Sequence, residues 1–204
     1  MRISAYGSYF RAGVRGSSNP SSQRVLETAL ALGTSRIRVW AGNCGSATAD
    51  DDTRQRTVND LCGICAAATK EAISIGLEFH DRTVTDIPES AASLCHQVGA
   101  NNLRCNWQPR VGTSTSIGLA DIAILQPHLG DVHVFHLGRD RSRLPLGAGI
   151  ESWRQYLAAI AQGDEIPRHA SLEFVKNDDP EQLLADARVL HEVIRHVNED
   201  ADAA

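Results

Sequence analysis

The sequence predicts an α/β fold in which helices cover a parallel sheet. Two observations carry the prediction. Six short runs rich in Val, Ile, Leu, Phe or Trp alternate with longer segments of helical periodicity, and strand ends recur about every 30 residues. The first strand is expected at Ile3–Gly7. The helix Ser21–Leu32 follows it, opened by Ser21 after Pro20, a capping signal. The strand Arg36–Ala41 leads into a helix at Thr53–Ile75, with apolar positions at Val58, Leu61, Cys62, Cys65 and Ala66. The strand Gly76–His80 precedes the turn-like Thr85-Asp86-Ile87 and a helix at Pro88–Val98. The strand Asn102–Trp107 precedes the helix Ile117–Gln126, which stops before Pro127. The strand Val132–Leu137 and the helix Ile150–Ala161 come next. The strand Ala170–Val175 and the helix Pro180–Val197 close the series. That last helix is expected to carry Leu183, Leu184, Ala187, Leu190, Val193 and Ile194 on one face. Residues 1–197 read as one domain, and 198–204 as a frayed acidic tail.

Composition narrows the function. With 204 residues, 42% hydrophobic and 22% charged, the chain is long enough to bury a core. No stretch approaches the roughly 20 apolar residues that span a bilayer, so no membrane partner is expected. The formal charge of −5 and the lack of a basic cluster argue against a nucleic-acid partner, since phosphate binding needs a Lys/Arg footprint. Five scattered cysteines do not make a disulfide framework and point to a reducing cytoplasm. Cys62-Gly-Ile-Cys65 lacks the second pair that a zinc site needs and reads as two core thiols.

Two architectures remain, an open doubly wound sheet and a (β/α)8 barrel. No Gly-x-Gly-x-x-Gly follows the first strand, which weakens the dinucleotide-binding version. The barrel usually needs about 250 residues for eight units, and six are present.

Polar residues inside the strands are the functional signal. Residues two apart share a face of a strand. Glu78 and His80 therefore lie together, as do Arg38 and Trp40, and Arg104, Asn106 and Gln108; Ser171 and Glu173 pair in the last strand. Of His133 and His136 only one can point inward, and His133 is expected to face the helices. A buried carboxylate needs an arginine, hydrogen bonds or a metal ion. Glu78 paired with Arg38 or Arg104 is the structural explanation. The polar residues gather at C-terminal strand ends, where α/β enzymes place their sites, and this favours a functional one. Two glutamates, a histidine and an amide suit Mn²⁺, Mg²⁺, Co²⁺ or Zn²⁺.

The order of segments resembles a known family. Arg36-Ile-Arg-Val-Trp-Ala-Gly42, Leu77-Glu-Phe-His80 with Thr83–Asp86, Asn102–Pro109, Val132-His-Val-Phe-His-Leu137, and Leu172-Glu-Phe-Val175 with Asp179-Pro180-Glu-Gln182 resemble strands four to eight of the xylose-isomerase-like TIM barrels, a family of sugar phosphate isomerases and epimerases. The resemblance implies a TIM barrel of which six βα units of eight are present, with Arg2–Gly7 as the third strand. It implies a divalent metal ion on Glu78, Gln108, His136 and Glu173, where Gln108 replaces the family's Asp and brings no charge. It further implies a cytoplasmic isomerase or epimerase acting on a small sugar or sugar phosphate through an enediolate, with Glu78 and Glu173 as the acid/base pair. His80, Trp40 and Arg143 are the substrate-binding candidates. Unpaired first and last strands would favour a homo-oligomer. An inactive or truncated barrel is the alternative. An abasic-site endonuclease relative fits less well, because few histidines point inward and the charge is negative.

Overall fold

The computed structural model describes residues 2–163 and 166–202. The chain divides into two compact units. The first is Met1–Trp107 with His128–Asp131, and the second is Gln108–Pro127 with Val132–Ala204.

In the first unit, β1 (Tyr6–Ala12), β2 (Arg36–Ala41), β3 (Ser74–Glu78) and β4 (Leu103–Trp107) lie side by side in chain order, joined by parallel pairings. Three helices connect them: α1 (Ser22–Leu32), α2 (Asp51–Thr69) and α3 (Pro88–Val98). Each helix has a local reason to begin and end. The Ser21 hydroxyl accepts the Arg24 N–H to cap α1, and Gly33, at φ 66°, closes it in the left-handed conformation. Asp50 caps α2, with Asp51 and Asp52 in the first turn where the helix dipole favours negative charge. Pro88 opens α3, and Gly99, at φ 63°, ends it. The sheet core is Ile37, Val39, Ile75, Leu77, Leu103 and Cys105, all but closed to solvent.

The second unit contains α4 (Thr115–Leu125), the last half of β5 (Leu129–Val134), a hairpin of β6 (His136–Leu137) and β7 (Arg143–Leu144), α5 (Ile150–Ala161), β8 (Ala170–Leu172) and α6 (Pro180–Asp202). Val132–Val134 pairs in parallel with Ala170–Leu172. α4 approaches α5 closely at Gly118, where a Cβ would stand 2.7 Å from the Tyr156 ring. Asp186, buried on α6, accepts the Leu146 N–H at 2.9 Å. Among the described residues no helix is long and apolar enough to cross a membrane.

Several boundaries differ from the sequence expectation. The first strand is Tyr6–Ala12 rather than Ile3–Gly7, because Ser8, Phe10 and Ala12 are the buried set and Tyr9 and Arg11 occupy the polar face. The second helix stops at Thr69. Ala72, at φ 54°, breaks the backbone direction, and Ser74 and Ile75 enter the strand. The run Val132–Leu137 is two strands, and Ala170–Val175 ends as a strand at Leu172, ahead of Phe174 at φ 51°. The last helix continues to Asp202 through most of the segment expected to be a frayed tail. Leu183 and Leu184, expected on its buried face, are exposed, while Leu190 and Val193 are buried.

The cysteines yield a test. Cys65, Cys95 and Cys105 are buried and Cys62 is exposed, so the C-x-x-C pair is not two core thiols. Burial pushes the Cys65 and Cys95 thiols up to about 12 and Cys105 well above the ordinary range. Alkylation of the folded protein with iodoacetamide at pH 8 is expected to modify Cys62 and Cys44 and spare the other three, because the thiolate is the nucleophile. Mass spectrometry in guanidinium should then find all five modified.

Candidate functional site

The polar residues of the first unit stand in two rows across the sheet. Register places Gly7, Arg38, Gly76 and Arg104 side by side on β1 to β4. One step further along lie Arg11 beside Trp40, and Glu78 beside Asn106. Glycine makes the first row possible. A Cβ on Gly7 would come within 3.0 Å of Arg38 Nη2, and one on Gly76 within 2.6 Å of the Asn106 amide.

The Arg38 guanidinium, with a side chain 19% exposed, lies 3.3 Å through Nε from Glu78 Oε2. The expected structural ion pair is therefore formed, and Arg38 is its cation. The Trp40 ring carries two guanidinium groups, those of Arg11 at 4.5 Å and Arg38 at 4.9 Å from its centroid. Arg11 hydrogen-bonds the Gly42 carbonyl, a neutral acceptor, and has no carboxylate partner among the described residues. Two donors in this group, Arg38 Nη1 and Trp40 Nε1, are closed to solvent and have no acceptor among the described residues.

His80 stands edge-on to Trp40, with ring centroids 4.9 Å apart. Its Nδ1 lies 2.7 Å from the Asp81 carbonyl and 2.8 Å from the Asp81 carboxylate. A carbonyl only accepts, so Nδ1 carries the hydrogen and Nε2 of the neutral ring has a lone pair. The ring is about one-third exposed. The loop after β2 is fastened at three points. Gly42 N–H donates to Ala12, Ser46 N–H to the Asp86 carboxylate at 3.1 Å, and Arg54 to the Ser46 carbonyl at 2.6 Å.

The second unit brings Glu173 to His133, with 3.6 Å between Oε1 and Nδ1. It does not bring Glu173 to His136, the histidine that the sequence reading assigned. β5 ends at Val134, so alternation cannot be counted through Phe135 to His136. His133 lies within β5, one residue before its end. His136 sits on the β6–β7 hairpin against the turn before α5; a Cβ on Gly149 would lie 2.3 Å from its Nδ1. It lines a cavity of about 100 Å³ with Thr115, Ser152 and Tyr156. Gln108 is buried just past β4. Arg143, a substrate candidate, pairs with Asp178 and lies over the Phe174 ring. Trp107 is fully buried, as its phase predicts. The sequence reading did not single out Arg11, and it expected His133, here beside Glu173, to face the helices. The alternation of Phe10 and Ala12 with Tyr9 and Arg11 was the signal for the first.

Within either unit by itself, no three of the described His, Cys, Asp and Glu side chains gather as a metal-holding cluster. A metal ion would find two ligands in His133 and Glu173, whose spacing suits two positions on one cation of 2.0–2.6 Å ligand distance.

No model of a protein family matches the chain. A 3-dehydroshikimate dehydratase of Bacillus anthracis is 27% identical over 176 residues, 77% of this chain and 62% of that protein. The chain thus spans about three-fifths of that relative. The crystal structure of a probable 3-DHS dehydratase from Bacillus anthracis superimposes with a TM-score of 0.77 at 22% identity, covering 93% of this chain and 76% of that one. A xylose isomerase-like TIM barrel protein from Mycobacterium smegmatis, in complex with magnesium, gives 0.66 at 13% identity over 95% and 74%. The fold is that of the xylose isomerase-like TIM barrels, represented by six βα units.

His136 provides a pH test. Burial lowers its pKa below the ordinary 6.5. The unfolded chain then takes up the proton first, so stability is full above pH 6.5 and falls as pH drops below it; His128, also lowered by burial, acts in the same direction. The melting temperature is expected to fall on acidification from pH 7 to 5.5, and H136N should flatten that fall. NMR of the ring should find a midpoint below 6.5.

Proposed function

We propose that this protein binds a small hydroxylated carbonyl compound bearing an anionic group and removes a proton beside the carbonyl, with loss of water as the outcome. The reaction assigned is dehydration of 3-dehydroshikimate, the activity named for the Bacillus relative. One observation carries the reading. Among the described residues, Arg38 Nη1 and Trp40 Nε1 are buried donors without an acceptor, beside an Arg11 whose guanidinium donates to a neutral carbonyl and meets no carboxylate. Buried donors of this kind are satisfied by a ligand oxygen, and the charge selects an anionic one. Glu78 holds the Arg38 guanidinium in place.

His80 Nε2 takes the acid/base role that the sequence reading gave to Glu78 and Glu173. It receives the proton from carbon and returns it to the departing hydroxyl, so the C–H and C–O bonds break, a C=C bond forms and water leaves. Trp40 walls the ring, and the Asp81 carbonyl fixes its tautomer. His133 and Glu173 would hold a divalent ion, Mg²⁺ or Mn²⁺. When bound, such an ion supplies Lewis-acid polarisation of a carbonyl. Isomerisation or epimerisation of a sugar begins with the same proton abstraction and is the second reading. The fold supports both.

Two measurements test this. Incubation with Mg²⁺ and 3-dehydroshikimate should give a conjugated product seen by ultraviolet absorbance. R38Q should lower kcat/KM roughly 10- to 100-fold, the worth of a charge-assisted hydrogen bond of about 1.5–3 kcal/mol. Epimerisation of a ketose without dehydration would replace this reading with the second. In calorimetric titration with Mn²⁺, H133A and E173Q should each weaken binding about tenfold or more, while H136A should leave it unchanged.

A further inference from the structure

We propose that the side-chain amide of Asn106 is a substrate-binding group, with Nδ2 donating to a hydroxyl or carbonyl oxygen of the bound molecule. The inference rests on the function proposed above and adds a contact that neither the sequence reading nor the comparisons assign.

Asn106 is only 6% exposed and sits in mid-sheet on β4, where a parallel strand usually buries an apolar side chain. Its amide lies flat between two glycines. A Cβ on Gly76 would meet Nδ2 at 2.6 Å, and one on Gly130 would meet Oδ1 at 2.7 Å. The orientation of the amide is set by its neighbour: the Asp131 N–H, a donor, is 3.1 Å away, so the atom facing it is Oδ1. Asp131 is held in turn by Arg36. Nδ2 therefore points away from that contact and has no acceptor among the described residues.

Register puts Asn106 directly beside Glu78, which pairs with the Arg38 guanidinium that lies against Trp40. The oriented donor thus belongs to the same unit as Arg38 Nη1 and Trp40 Nε1, two solvent-closed donors without an acceptor among the described residues. A donor held in a fixed direction with no protein acceptor is open to a ligand oxygen, and a network that fixes its direction is explained by a ligand that completes it. The group selects an oxygen: a hydroxyl or carbonyl accepts from Nδ2, and an apolar substituent does not.

The decisive variant is N106D. The new carboxylate keeps an acceptor for the Asp131 N–H but presents an acceptor where Nδ2 was a donor. With 3-dehydroshikimate as probe, and at a temperature well below the variant's melt, KM is expected to rise about tenfold or more. Lowering the pH should recover part of the loss, because the protonated carboxyl donates again. A purely structural role would shift the melt and leave KM alone. Should N106D fail to fold, ¹⁵N NMR of the wild type decides: titration with 3-dehydroshikimate should move the Asn106 side-chain NH₂ resonance. An unchanged KM in folded N106D, or an unmoved resonance in wild type that turns the probe over, overturns this inference alone. Wild type that neither binds nor converts the probe overturns the proposed function, and this inference with it.

Discussion

Side-chain volume on one face of the sheet is the constraint on which the rest depends. Strands β2 and β4 project long polar side chains, Arg38 and Asn106, and the flanking strands supply glycine beside them: Gly7 and Gly76 beside Arg38, Gly76 and Gly130 beside Asn106. Large and absent side chains thus alternate from strand to strand, as layers inside a barrel require. A methyl group on Gly76 would collide with the Asn106 amide at 2.6 Å. The ion pair of Arg38 with Glu78 and the stack on Trp40 both draw on the space that these glycines leave.

Within that space the charges take separate tasks. Glu78 is committed to Arg38, and Asp131 to Arg36. Asp81 holds Nδ1 of His80. The carboxylates that look interchangeable in sequence are thus distinguished by what each one touches. Glu173, on the second unit, meets an imidazole rather than a guanidinium. An imidazole beside a carboxylate can share a cation in a way that a guanidinium beside a carboxylate cannot.

Much of this was legible in the sequence, for identifiable reasons. The alternation of strands and helices gave the parallel α/β order, because apolar periodicity is a property of consecutive residues. The helices Pro88–Val98, bounded by Pro88 and Gly99, and Ile150–Ala161 were placed to the residue. Trp40, His80 and Glu78 were found because each breaks an apolar strand pattern near its end. His136 was read in phase with the strand before it, but β5 stops at Val134, and Phe135 gives no sequence sign of a break. Arg11 was missed because Ser8–Ala12 alternates weakly, with serine and alanine on the buried side. The role of Asn106 depends on glycines 30 residues upstream and 24 downstream in sequence, a relation that only register reveals.

The fastening of the loop after β2 has a kinetic side. Its backbone is held by Ala12, Asp86 and Arg54 before any guest arrives. A loop that must be ordered on arrival spends conformational entropy and slows capture; one that is already set does neither. Binding at the proposed site beside it, where Arg11 donates to the Gly42 carbonyl, would then reduce to a diffusional encounter, and its rate should follow solvent viscosity and ionic strength rather than any rearrangement of the loop itself.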